Sequence, residues 1–428
     1  MKLGWRDLAD VRVALMLAFG FSAGLPFLLV FGTLSVWMRE AGVALTTIGM
    51  FSWLALAYSL KFLWSPVIDG LDVPILSRLV GRRRAWMIVC QAIVAVGLIG
   101  MGLSGPTANI VALAAFTFLV GFGSATQDVV VDGWRIDAAP LERQGIMAAA
   151  YQLGYRLALL CAGAGALYIA EFLSWRAAYL SMAALMLVGF VACLLSPIVD
   201  RSAEGEALGR RSFDFVRGIK EPLVDLYQRL GPTLVPILVM VALYRLPDFV
   251  AGVMANPLYV DLGFSKPEIA NVAKIYGVWM GILGAFVAGY LVSSIGLRRT
   301  LLIGAVVGAA SNLMYTGLFH AGARIEMLVL TISVDNFSGG FAGTVLVAYM
   351  SGLTGAGFVA TQYALLSSLY ALPGKFVGGA SGFIVTSMGY PAFFVLTAAV
   401  GIPVVALCLW VTREKLDPGP SPQLRRPG

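Results

Sequence analysis

Residues 13–38 read VALMLAFGFSAGLPFLLVFGTLSVWM, an apolar run with no charged side chain, flanked by Arg12 and Arg39. A helix needs about 20 such residues to cross a hydrocarbon core roughly 30 Å thick. The run is longer than the core of a signal peptide and ends on no small-residue cleavage site, so it reads as an uncleaved first span. A barrel strand would alternate in polarity over about ten residues, and this stretch does not. Backbone exposed to lipid must satisfy its own hydrogen bonds, which leaves a helix.

The same pattern recurs down the chain. Spans are expected at 13–38, 45–69, 85–104, 107–132, 145–170, 175–197, 233–260, 265–294, 300–320, 324–352, 354–386 and 389–411. The stretch 354–386 is long and glycine-rich, which predicts a break or a tilt. Of the 428 residues, 59% are hydrophobic and only 12% charged. A soluble domain carries about 25% charged residues, so lipid and not water is the solvent here.

Charge sets the expected orientation. With the N-terminus inside, 21 Lys and Arg fall in inner segments and 4 (Arg39, Arg176, Lys266, Arg324) in outer ones. Positive charge is retained on the cytoplasmic side, so both termini are expected there. The formal charge of +7 then faces anionic lipid, and no nucleic-acid partner is called for. Trp37 and Trp175 outside, and Trp86, Trp134 and Trp410 inside, read as interfacial anchors. Cys90, Cys161, Cys193 and Cys408 sit inside apolar runs with no ligand spacing, and His320 ends one, so no metal site is expected.

The organisation predicted is a six-helix half at 1–197, a cytoplasmic linker at 198–232, a second six-helix half at 233–411 and a disordered tail at 412–428. Within the linker, Phe213, Val216, Ile219, Leu223, Leu226 and Leu230 recur at helical spacing among basic residues, the pattern of an amphipathic surface helix. The halves look related. Gly-Arg-Arg-Arg at 81–84 answers Gly-Leu-Arg-Arg at 296–299, Gly121-Phe122 answers Gly340-Phe341, and Arg156 answers Lys375.

Ionisable groups at membrane depth cost several kcal/mol unless paired or hydrated, and each is therefore a functional candidate. For substrate binding these are Lys61, Gln127, Gln152, Tyr155, Arg156, Tyr244, Arg245, Asn336, Gln362, Tyr363 and Lys375. Cations suit an anionic group, while tyrosines and amides suit a sugar or peptide. Asp128, Asp132, Asp248 and Asp335 are the candidates for proton coupling, Asp128 first, because a buried carboxylate whose partner changes can take up and release a proton. Asp69, Arg82, Arg83 and Arg84 are candidate gating charges on the cytoplasmic face. Structural readings stand beside these: Asp128 or Asp132 neutralising Arg156, Arg245–Asp248 as a fixed pair within one helix, Lys61 snorkelling, and the arginines setting topology alone. Ser265-Lys-Pro-Glu268 has the form of a capping box with proline in the first turn. No phosphate-binding glycine motif and no nucleophile–base constellation appears, so neither an ATP-driven pump nor an enzyme is expected and no cofactor is implied.

Several stretches resemble one family. Phe19-Gly-Phe-Ser-Ala-Gly-Leu-Pro26, Thr47-Ile-Gly-Met-Phe-Ser52, Lys61-Phe-Leu-Trp-Ser-Pro66, Gln127-Asp-Val-Val-Val-Asp-Gly-Trp134, Gly154-Tyr-Arg156, Asn336-Phe-Ser-Gly-Gly340 and Ala360-Thr-Gln-Tyr-Ala-Leu-Leu-Ser367 are similar to the AmpG-type muropeptide permeases of the major facilitator superfamily. The resemblance implies an all-α membrane protein of twelve spans in two pseudo-repeated halves, with substrate near the midplane and alternating access. It also implies proton-coupled import of anhydro-muropeptides across a bacterial inner membrane for cell-wall recycling. The partners expected are an anionic sugar-peptide, protons and lipids, and the expected state is a monomer. The other reading is an exporter, or a carrier of another anionic amphiphile such as a drug or an acyl-CoA.

Overall fold

The computed structural model describes residues 10–64, 68, 71–138, 141–198, 215–354 and 359–411. Among them there is no strand. The apolar runs form α1 (Val11–Glu40), α2 (Leu45–Leu60), α3 (Arg82–Ser104), α4 (Ile110–Ala138), α5 (Ile146–Phe172) and α6 (Trp175–Leu195). The linker helix α7 (Phe215–Leu230) follows. Then come α8 (234–261), α9 (Lys266–Ile295), α10 (Leu297–Ala321), α11 (Ile325–Leu353), α12 (Val359–Gly378) and α13 (Ser381–Val411).

Nine helices among the described residues are long and apolar enough to cross a membrane. The three that fall short, α2, α11 and α12, occupy positions where spans are expected. Their sequences explain the shortfall. Asp335-Asn336 interrupts α11, Gln362 and Lys375 interrupt α12, and α2 loosens into 3-10 turns at Ser52–Ala55 and again at Lys61–Leu63. The polar groups that weaken the hydrophobic signal are those singled out as functional.

Two boundaries differ from expectation. The break between the last two spans falls at 379–380, not after 386, and Gly389 is a kink inside α13 with a left-handed φ of 79°. A Cβ on Gly379 would run into the Trp53 indole, so the chain turns where only glycine fits. Trp134 is no interfacial anchor: it is fully buried, edge-on to Phe19 at 5.2 Å, because the C-terminal end of α4 packs into the protein.

The chain divides into two compact units. The first holds residues 1–43, 54–212 and 265–270, and the second 44–53, 213–264 and 271–428. In the first unit, Leu15, Met16 and Phe19 of α1 join Val130, Val131 and Trp134 of α4 and Met147 of α5 in one core. The central crossing is α1 on α5. A Cβ on Gly20 would collide with the Tyr151 carbonyl, and one on Gly154 with the Leu17 carbonyl. Small residues let backbones approach closely, which is how helices bind each other in lipid. In the second unit, Ile237, Met240 and Val241 of α8 pack with Leu301 of α10, Phe341 and Val345 of α11 and Cys408 of α13. There α9 crosses α11 in the same way, with Gly284 against the Phe337 carbonyl and Gly340 against that of Gly281.

The linker helix is tied into the second unit. Leu226 and Leu230 are buried, 1% and 6% exposed, while Leu223 faces out at 39%. Arg229 donates to the Leu353 carbonyl at 2.9 Å and so caps the C-terminus of α11, where a cation is favourable. Cys90, Cys193 and Cys408 are buried thiols with no disulfide, and the capping box at Ser265–Glu268 is formed.

Candidate functional site

In the first unit the site grows from α4. The i,i+4 spacing that puts Asp128 and Asp132 on one side does not give them one role. Asp128 turns toward the end of α2, where Lys61 Nζ lies 3.3 Å from its Oδ2. Tyr151 of α5 donates its hydroxyl to the other oxygen, Oδ1, at 3.2 Å. Each carboxylate oxygen therefore has a partner from a different helix. Side-chain exposure is 35% for Lys61 and 17% for Asp128, so the pair is sheltered but reachable. Just above, Trp64 donates to Thr126 at 3.0 Å, which in turn donates to the Phe122 carbonyl. These bonds hold the 3-10 turn of α2 against α4. Tyr155 stands one turn from Tyr151, rings 6.3 Å apart.

Other expected groups separate from this cluster. Asp132 pairs with Arg135 on its own helix at 3.3 Å and is 55% exposed. Gln127 points to the opposite face, buried, donating to Ser22 at 3.0 Å, and so helps pack α4 on α1. Gln152 and Arg156 lie together on the exposed side of α5, and Arg156 makes no ion pair among the described residues. Neither carboxylate neutralises it. Arg84 caps α6, donating to the Cys193 carbonyl at 3.0 Å, to Ser196 at 3.2 Å and to the Leu194 carbonyl. Arg83 lies over the backbone at Gly133, and Arg82 starts α3. Asp69 lies outside the described residues.

In the second unit the site grows from a break in α8. Pro247 opens the second segment of that helix, Leu246–Asp261, and its missing N–H interrupts the ladder at Tyr244–Arg245. The break leaves Arg245 Nε 2.8 Å from Asp248 Oδ2, with side chains only 20% and 14% exposed. The guanidinium also donates to the Gly339 carbonyl of α11 at 3.2 Å and lies 5.5 Å from the centre of the Phe249 ring. Gly339 and Gly343 leave room for it. Asp335 of α11 is within electrostatic reach of Asp248 and Arg245 and hydrogen-bonds Tyr315, whose hydroxyl is 3.4 Å from that of Tyr259. Tyr259 and Tyr315 carry no sequence signal beyond being tyrosines in apolar runs.

The remaining candidates in this unit lie elsewhere. Tyr244 is buried and donates to the Leu301 carbonyl at 2.8 Å, a packing role. Asn336 donates back to Ile332 at 3.2 Å. Tyr363 packs against the core, and Lys375 sits in the last turn of α12. Gln362 is fully buried between α12 and the linker helix. It accepts from Arg229 at 3.0 Å and donates to Asp225 at 2.7 Å, while Arg229 and Asp225 pair at 2.9 Å. Arg229→Ala is expected to release this ring and lower the stability of the detergent-solubilised protein by about 1.5–3 kcal/mol, the range for bonds to a charged group. A thermal melt indistinguishable from the parent would show that the ring holds nothing.

Lys274 was not among the expected groups, although it lies inside an apolar run just as Lys61 does. Its Nζ donates to Asn256 Oδ1 at 2.7 Å. No cluster of His, Cys, Asp or Glu among the described residues could hold a metal ion.

The profile described as Major Facilitator Superfamily matches residues 13–244 and again 237–427. The anhydromuropeptide permease of Escherichia coli is 35% identical over 409 residues, covering 95% of this chain and 80% of that protein. A putative transporter, AmpG 4, of Rickettsia conorii is 32% identical over 408 residues, 95% of this chain and 97% of the other. Among solved structures, a D-xylose-proton symporter superposes with a TM-score of 0.67 at 14% identity, over 94% of this chain and 97% of that one. A POT family transporter in complex with a thioalcohol-conjugated peptide superposes at 0.68, with 14% identity, over 93% and 95%. At those identities the likeness concerns the fold alone.

Proposed function

This chain belongs to the major facilitator superfamily and, within it, to the AmpG-type muropeptide permeases, and from that premise we propose that it imports anhydro-muropeptides across the bacterial inner membrane together with protons, driven by the proton gradient. The observation that carries the mechanism is the Asp128 carboxylate, held between a lysine and a tyrosine at membrane depth. In that setting a cation keeps the carboxylate charged and burial opposes the charge, so moving Lys61 away favours protonation. A helix rearrangement that separates α2 from α4 would therefore load a proton onto Asp128, and its reversal would release it.

Asp248 and Asp335, with Arg245 between them in charge, form a second ionisable cluster in the other unit. Each cluster is supported by similar parts: one cation, a carboxylate on a spanning helix, and tyrosine hydroxyls. Arg156 and Gln152 on the exposed side of α5 are suited to sugar hydroxyls and amides. Both termini then lie in the cytoplasm, as the positive-inside count requires.

Uptake of labelled N-acetylglucosaminyl-anhydro-N-acetylmuramyl peptide into proteoliposomes tests the proposal. Accumulation is expected with an inward proton gradient and should collapse when an uncoupler is added. Uptake indifferent to the gradient would remove the coupling, and no uptake of this ligand beside efflux of other amphiphiles would favour the exporter.

A further inference from the structure

Two of the cations already described, Lys61 and Arg245, each have a carboxylate within the protein. Lys274 does not. Its ammonium, part-buried in a spanning helix, is held by the neutral amide of Asn256 at 2.7 Å. Among the described residues no acidic side chain acts on it. An ammonium carries three donors, and Asn256 takes one. A cation sheltered from water without a counter-charge costs several kcal/mol, so the arrangement persists where something else supplies the negative charge.

The local backbone points the same way. Lys274 lies in a π-helical stretch, Ile269–Tyr276, directly after the capping box. The wider turn inserts a residue, re-aims the side chains beyond it, and is frequent at functional sites.

We propose that Lys274 is the anchor for a carboxylate of the transported sugar-peptide, with Asn256 as the residue that positions its ammonium. The inference rests on the function proposed above and adds a specificity determinant to it. An anionic ligand supplies the missing counter-charge, and partial burial strengthens the attraction over that in bulk water. An uncharged analogue supplies none.

The test is calorimetric binding to the detergent-solubilised full chain, using an anhydro-disaccharide peptide and the same compound with its carboxylates amidated. The parent is expected to bind the acid at least about tenfold more tightly, equivalent to ~1.4 kcal/mol. Lys274→Met should bind both alike, at the affinity of the amide, while Lys274→Arg keeps the preference. Asn256→Asp, which gives the ammonium an internal counter-charge, should also erase the preference and carries the test if Lys274→Met does not fold. Retention of the preference in Lys274→Met, or in Asn256→Asp, overturns the inference, as does a parent that binds acid and amide equally, and in each case the transport reading stands. A parent that binds neither compound overturns both.

Discussion

Asp128→Asn is expected to abolish accumulation of anhydro-muropeptide while the protein is still made and inserted. Asparagine keeps the size of the side chain and an oxygen that accepts from Tyr151, so the α4–α5 contact survives. It cannot carry charge or exchange a proton, so Lys61 loses its counter-ion and the coupling step loses its carrier. Removing one partner of a fully buried pair costs about 3–5 kcal/mol. Lys61 is 35% exposed, so the stability loss should be well below that figure. Transport against a gradient should therefore fall far more than folding does, by at least about tenfold. Exchange of labelled for unlabelled ligand at equal concentrations, which needs no net proton movement, should persist. Near-normal accumulation in Asp128→Asn would remove this carboxylate from the coupling mechanism. Loss of exchange together with accumulation would recast it as a binding group.

Gly154→Val is expected to prevent the first unit from folding. A Cβ at this position overlaps the Leu17 carbonyl and presses on the Phe21 amide, and both are backbone atoms that no rotamer change can move. The helices would have to separate, which takes Tyr151 and Tyr155 away from α4. Ordinary overpacking costs about 1–3 kcal/mol. Here the clash lies at the closest crossing of the unit, so the cost should exceed that range and leave little monodisperse protein in detergent. Gly154→Ala should show a lesser form of the same defect. Gly252, where an added Cβ meets nothing within 4 Å, serves as the control and should accept alanine. Normal yield and melting of Gly154→Val would mean that α1 and α5 do not cross this closely.

Much of the architecture was legible because its cause is local. Apolar length, the flanking arginines, the Pro-containing capping box and the basic loops each act within one segment, so the linear order of helices can be read directly. The helical period also placed Tyr151 beside Tyr155 and Gln152 beside Arg156 correctly. It failed at partners. Asp128 was weighed against Arg156, yet its cation is Lys61, 67 residues away with the whole of α3 between them. Gln127 is adjacent to Asp128 in sequence and faces the opposite way, into Ser22. Gln362 looked like a substrate ligand and fastens a linker helix instead. Trp134 looked like an anchor and is core.

The amino-acid order alone therefore determined that this chain lives in lipid, the order of its helices, and which side chains are too polar to sit there without purpose, while the break at 379–380 escaped it. It could not determine how each helix is turned about its axis. In water a hydrophobic stripe would announce that rotation, but a span that is apolar all round has no such stripe, since lipid and protein interior are equally apolar. The rotation is decided by where small residues let backbones touch, as at Gly20 and Gly154, and those contacts exist only once the helices are packed. They are what brings Lys61, Asp128 and Tyr151 to one point and leaves Lys274 beside an amide.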